Sequence, residues 1–219
     1  MKVLQSYFER KPGYKAASAI TLDYCERQKY LYSLVKADKP LDREVYWIKC
    51  QEMLANLYDC DYLLWLDMDA FVYNHELRIE EELIRRSEQL PVMMAADVAD
   101  ESNRHSTTEP NTGVILVKNC ETTKAILNEW WQVPQAYLAY EKYKYDELWF
   151  DQSCFNGVIL PKYRDSIKLL PDYYLMNGHY GTFIRHLSGH QENYTAKELR
   201  KICERRSAFH KYLPLLEEG

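Results

Sequence analysis

At 219 residues with a net charge of −5, the chain has the length of one large domain and lacks the basic field of a nucleic-acid binder. Hydrophobic content of 47% and charged content of 28% are those of a soluble globular protein. No apolar run reaches the ~18 residues needed to span a bilayer, the start of the chain has no signal-peptide apolar core, and six scattered cysteines form no Cys-x-x-Cys pair, so the expected setting is cytoplasmic with reduced thiols.

Met1 to Tyr7 alternates in the manner of a first strand, and Lys11-Pro-Gly-Tyr14 is a turn signal. Ala16 to Leu34 carries a helical pattern, with Ile20, Tyr24 and Leu31 on one side, and Lys36 to Asp42 is a polar loop. Arg43 to Tyr58 reads as an amphipathic helix turning Val45, Ile48, Leu54 and Leu57 inward. Tyr62 to Leu66 is a nearly continuous apolar run, the pattern of a strand buried on both faces. It stops at Asp67 and Asp69. Residues two apart on an extended chain point to the same side, so these carboxylates can converge. Ligands of open α/β sheets bind beyond the carboxyl ends of strands, and carboxylate oxygens suit Mg²⁺ or Mn²⁺ held together with substrate phosphates. An Asp-x-Asp by itself is most often a solvated turn. The apolar strand before it and Phe71-Val72-Tyr73 after it make the metal–diphosphate reading the better one.

Glu76 to Leu90 reads as a charged surface helix, and Pro91 to Ala96 as a second buried strand ending at Asp97. Asp97 to Pro110 is wholly polar, a candidate lid together with Asn177 to Gly181. Asn111 to Lys118 gives a third strand, entered through Gly113, which permits close backbone approach. Cys120 to Trp131 is helical, with Pro134 marking its end or a kink. Tyr137 to Tyr145 is aromatic and charged, Asp146 to Phe155 a short helix, Ser166 to Leu170 a last short strand, and Glu198 to Tyr212 a closing helix. With no repeat or composition break, residues 1–219 are expected to form a single domain. Strands alternating with helices predict an α/β fold with a mainly parallel central sheet.

Trp47-Ile-Lys49, Trp65-Leu-Asp-Met-Asp-Ala70, Asn111-Thr-Gly113, Asp151-Gln-Ser153 and His186-Leu-Ser-Gly189 follow one another in the chain. Their order resembles that of nucleotide-sugar-dependent glycosyltransferases of the Rossmann-like GT-A fold, and most of all the retaining galactosyl-, mannosyl- and xylosyltransferases of family 34. The resemblance spans roughly residues 16–190 and departs from the family at His190. It implies a hexosyltransferase-class enzyme using a nucleoside-diphosphate sugar donor, UDP-linked by expectation, and a glycan or glycoside acceptor. At matching positions it implies a Mn²⁺ or Mg²⁺ ion on Asp67, Asp69 and His186, with Asp67 also near the ribose. Asp151 and Gln152 would stand near the anomeric carbon as the catalytic pair. Asn111 and Gly113 would line the donor–acceptor junction, and Lys49 would meet the diphosphate or buttress the acids.

The chemistry of these residue types agrees. Leaving-group expulsion builds negative charge on a diphosphate that a divalent cation neutralises, and two acids with an imidazole suit Mn²⁺ better than oxygens alone. Two rivals use the same acids. One is a nucleotide-sugar-binding protein without transfer activity; the other is a metal-dependent phosphohydrolase or nucleotidyltransferase, which would ideally carry further acids or a glycine-rich phosphate loop. Taken singly, His186 is a satisfied histidine, Asp151-Gln152 a solvated helix face and Lys49 a surface lysine. Only the ordered set favours the site.

Overall fold

Eight strands are described: β1 (Lys2–Tyr7), β2 (Leu31–Lys36), β3 (Tyr62–Leu66), β4 (Ala70–Val72), β5 (Val92–Val98), β6 (Ser106–Lys118), β7 (Ile167–Leu170) and β8 (Ile184–His186). The computed structural model covers, in describable form, residues 1–8, 11–38, 43–98, 106–137, 151–171, 173–187 and 192–217. Six strands form the central sheet in the order β2-β1-β3-β6-β5-β7, while β4 and β8 pair in a small second sheet. The pairs β1–β2, β1–β3 and β5–β7 are parallel. The sheet is mainly parallel, as expected, and β6 alone runs against the others. That reversal matters for the site. It carries the Asn111–Gly113 stretch of β6 to the carboxyl end of β3, where Leu66 faces Val114.

β3 is buried on both faces, as its unbroken apolar run requires. Leu63 and Trp65 belong to one core, with Trp47, Met53, Ile115 and Trp130. Leu64 and Leu66 point the other way into a second core, with Tyr24, Met93, Val114 and Phe183. Each such side chain withdrawn from water stabilises the fold by about 1.5–3 kcal/mol before entropy is counted.

The helices are α1 (Pro12–Gln28), α2 (Ile48–Asn56), α3 (Glu121–Tyr137), α4 (Asp151–Cys154), α5 (Leu160–Lys162), α6 (Tyr173–Met176) and α7 (Glu192–Arg205). Several boundaries differ from expectation, each for a local reason. The Lys11–Tyr14 turn signal is the start of α1, with Pro12 in the first turn, where its missing N–H costs nothing. α1 stops at Lys29, whose φ of 61° is left-handed, a stop that no glycine announces. The presumed end of that helix is instead the edge strand β2, where Leu31 is 53% exposed. Around α2 the inward face is Trp47, Lys49, Cys50, Met53 and Leu57, whereas Val45, Ile48 and Leu54 are only half-buried.

The charged segment after β4 is no long helix. It has one wide turn (Glu80–Ile84) and one tight turn (Arg85–Ser87), closed by positive φ at Glu88 and Gln89. α3 runs through Pro134 to Tyr137, so the proline does not end it. The closing helix is two pieces: α7, then the tight turns of Ser207–Leu216, separated at Arg206, which is extended. Both pack on α1 through Ala16, Ile20, Leu199, Phe209 and Tyr212. Most of Tyr137–Tyr145 lies outside the described residues. Among the described residues no helix is long and apolar enough to cross a membrane.

Candidate active site

Where β3 ends, its backbone is tied to β6: the N–H of Asp67 donates to Gly113 O at 2.8 Å. The chain then turns, Ala70 N–H donating to Asp67 O, and Gln5 of β1 donates from Nε2 to the carbonyls of Asp67 and Ala70 at 3.2 and 3.0 Å. β4 follows and pairs antiparallel with β8, placing Ala70 opposite His186. The N–H of Leu187 donates to Asp69 O. In this way a pairing between segments more than a hundred residues apart sets His186 beside the two acids.

Asp67, Asp69 and His186 offer ligand atoms all within 4.8 Å of one another. Nε2 of His186 is 3.2 Å from Asp69 Oδ1. They lie in a cleft of about 350 Å³ that Lys49, Asn111, Thr112, Gly113, Asp151, Gln152 and Ser153 also line. All eight residues expected at the site from sequence therefore meet in one cleft.

Lys49 is the hub. Only 2% exposed, it lies 2.8 Å from Asp151 Oδ2 and 3.1 Å from Asp67 Oδ1, and it donates to Thr112 O at 3.0 Å. An ammonium has three hydrogens, and these three partners take them. Burial works against its charge, yet the carboxylates of Asp151 and Asp67 hold the ammonium more firmly protonated than in free lysine. Asp67 is pushed up by burial, against the pull of Lys49 and His186. Burial likewise opposes ionisation of Asp69, but the charge and hydrogen bond of His186 hold that carboxyl below its ordinary value. His186 is raised in turn: burial opposes its charge and Asp69 outweighs it. The two acids are thus distinct, one committed to Lys49, the other to the histidine.

The opposite wall is a hydrogen-bonded chain. Thr112 Oγ1 donates to Asp151 Oδ2 at 3.0 Å, and Thr112 N–H donates to Gln152 Oε1 at 3.1 Å. Gln152 Nε2 donates to Asp97 Oδ2 at 3.1 Å, which Asn111 Nδ2 approaches at 3.5 Å. Asn111 Oδ1 accepts the N–H of Gly113 at 2.9 Å. Gly113 is glycine for a reason beyond the strand entry. A Cβ there would lie 1.9 Å from Cε1 of His186, so the imidazole occupies the space a side chain would take.

Sequence alone gives no role to Thr112 or to the side chain of Trp65, and it offers Asp97 and Asn177 only as the first residues of the two expected lid segments. Asp97 carried a usable signal, since it ends an apolar strand in the same manner as Asp67. Of the expected lid, residues 99–105 lie outside the described residues, while Asp97–Val98 and Ser106–Pro110 extend β5 and β6. In its second half Asn177 is fully buried and Gly178 O accepts the N–H of His186, while Tyr180 is 70% exposed.

A family model for the galactosyl transferase GMA12/MNN10 family matches residues 20–153. Among solved structures, a glycosyltransferase involved in glycosylation of the major capsid of PBCV-1 is 15% identical with a TM-score of 0.69, covering 90% of this chain and 97% of its own. The galactosyltransferase LgtC, solved with donor and acceptor sugar analogs, is 11% identical with a TM-score of 0.57, covering 99% and 95%. Mouse xyloside xylosyltransferase 1 is 11% identical with a TM-score of 0.52, covering 86% and 98%. At these identities the likeness is one of fold, and that fold is GT-A. No curated protein matches the chain in sequence.

Proposed function

Because the chain belongs to the galactosyl transferase GMA12/MNN10 family and is a glycosyltransferase, we propose that it moves a hexose or pentose from a nucleoside-diphosphate sugar, UDP-linked by preference, to a hydroxyl of a glycan or glycoside. The observation that carries this reading is the meeting of Asp67, Asp69 and His186 within 4.8 Å of one another, in a cleft whose other wall is Asp151 and Gln152. Two carboxylates and an imidazole are a donor set that fits Mn²⁺, with Mg²⁺ as the harder alternative. Held there, such an ion supplies the positive charge that a departing diphosphate needs.

The rest is work for the side chains. Asp69 and His186 would be the direct ligands. Asp67, steadied by Lys49 and Trp65, would complete the set from the ribose side. A pocket of about 100 Å³ opens beside Asp67 and Met68, lined by Phe8, Val45, Tyr46, Ile48 and Trp65. Its aromatic walls suit a nucleoside base.

Transfer with retention fits the state of Asp151. An inverting enzyme requires a side-chain base within reach of the acceptor hydroxyl. Asp151 is 6% exposed and engaged by Lys49 and Thr112, so it is a poor candidate for that task. In a retaining geometry the acceptor attacks from the face the diphosphate leaves, and the leaving oxygen takes its proton. Gln152, its carboxamide fixed at both ends by Thr112 and Asp97, would then face the oxocarbenium-like centre.

A thermal-shift panel of UDP- and GDP-sugars with and without Mn²⁺ tests base, sugar and metal need together, because a ligand of the folded state raises its apparent stability. UDP-sugars should stabilise only with the cation present, and a glycoside acceptor should then yield a product of retained configuration by NMR coupling. Equal stabilisation without any cation would overturn the metal assignment. Release of free sugar or phosphate with no transfer would favour the hydrolase reading.

A further inference from the structure

Asn177 follows α6 and precedes β8, and it is fully buried. Its Oδ1 accepts the N–H of Gly178 at 2.9 Å. That contact fixes the orientation of the amide, since a backbone N–H cannot face an NH₂ group. The same oxygen lies 2.9 Å from Nδ1 of His186. Because that oxygen can only accept, Nδ1 must carry the hydrogen, and the ring turns Nε2 toward Asp69 Oδ1, 3.2 Å away. The amide nitrogen of Asn177 is meanwhile buried without a hydrogen-bond partner, an arrangement that is costly. Packing alone would be served as well by leucine at no such cost. Gly113 closes the other side of the ring, leaving no room for a Cβ between strand and imidazole.

We infer that Asn177 is a positioning residue: its carbonyl oxygen holds the hydrogen of His186 on Nδ1, so that Nε2 is the atom presented to a cation shared with Asp67 and Asp69. Outer partners of this kind orient metal-ligating histidines, and their loss weakens metal affinity by roughly 10- to 100-fold. The inference rests on the proposed cation site, and its test separates the two.

The probe is Mn²⁺ alone, titrated into the full chain and followed by the paramagnetic resonance of the free ion. Asn177→Leu keeps the shape and removes the acceptor; it should weaken Mn²⁺ binding about 10- to 100-fold. Asn177→Asp keeps an acceptor oxygen and should restore binding to near the wild-type level, a rescue that a packing role would not produce. Asp69→Ala is the control for the site. If Asp69→Ala abolishes binding while Asn177→Leu binds as tightly as wild type, the positioning role falls and the cation site stands. If Asp69→Ala also binds as wild type, the cation site itself is wrong and this inference falls with it. A second measurement holds even where the leucine variant does not fold. Long-range ¹⁵N–¹H correlation on the metal-free wild-type chain should place a hydrogen on Nδ1 of His186, and a bare Nδ1 would overturn the proposal.

Discussion

The indole nitrogen of Trp65 donates to Oδ1 of Asp67 at 2.7 Å, across one intervening residue of the same strand. The pleat puts residues two apart on one side, so the core tryptophan of β3 also steadies the first acid of the site. Trp65→Phe keeps most of the apolar bulk and removes the donor. A hydrogen bond to a charged group contributes about 1.5–3 kcal/mol, so the variant should be less stable by about that amount. Its turnover should fall about tenfold, as a loosened Asp67 costs alignment. Urea unfolding beside steady-state kinetics checks both. Unchanged turnover would mean that Asp67 does not depend on the indole.

Lys49 sits between two carboxylates, and its loss would leave them facing each other. Breaking a buried pair by removing one partner costs about 3–5 kcal/mol; Lys49→Met should fall toward the lower end, because the side chain of Asp67 keeps 27% exposure. Adding Asp151→Asn removes one of the stranded charges and should recover part of the loss. Chemical denaturation of the single and double variants measures the coupling. Equal stability of Lys49→Met and wild type would show that the ion pairs contribute nothing net.

Gly113→Ala would drive a methyl group into the imidazole of His186, with contacts of 1.9 Å to Cε1 and 2.5 Å to Nδ1. The strand is held by its ladder and the ring is the more easily moved, so the histidine should swing away from Asp69. The expected outcome is a folded protein, within about 2 kcal/mol of wild type by the usual range for overpacking, whose thermal stability no longer responds to Mn²⁺. A full Mn²⁺ response in that variant would show that the ring keeps its place.

Why these features were or were not legible from sequence is a matter of distance along the chain. Asp67 and Asp69 could be read because the strand that presents them, its alternation and its abrupt stop are all local. Lys49 and His186 needed the ordered set of motifs, since nothing near either residue distinguishes it from an ordinary side chain. The partnership of Asn177 with His186 was hidden, because it depends on how a loop folds back beneath β8. Thr112 is similar: its three site contacts exist only because β6 runs antiparallel beside β3, and an apolar run does not declare its direction. The element boundaries that differ from expectation have the same origin. Lys29 ends α1 in a left-handed conformation without being glycine, and β2 is half-exposed, so its alternation passed for the tail of a helix.

Away from the cleft, His75 should make stability depend on pH. It is 7% exposed, packed against the rings of Tyr24 and Phe209 at 5.5 and 5.4 Å, and its Nε2 is buried without a hydrogen-bond partner. Burial is the main cause that pushes its pKa down from 6.5 to about 4. Asp23, 3.4 Å from Nδ1, opposes that shift, while Arg27 and Arg206 assist it. The folded protein thus holds a neutral imidazole where the unfolded chain would accept a proton, and the unfolded state binds more protons between those two pKa values. The contribution of His75 is therefore flat above pH ~6.5, falls as pH drops from there toward ~4, and levels off below. At 1.36 kcal/mol per pH unit the full effect is about 3 kcal/mol, reduced to about 2 by partial solvent screening. His75→Phe keeps an aromatic ring in the pocket and removes the titrating group. Histidines and acids other than Asp23 titrate equally in both proteins, so the comparison isolates His75 together with its coupling to Asp23. Between pH 7.5 and 4.5, wild type should lose about 2 kcal/mol more stability to urea unfolding than the phenylalanine variant. Parallel losses in the two would show that the imidazole is protonated in the folded state, and that the pocket opens to water.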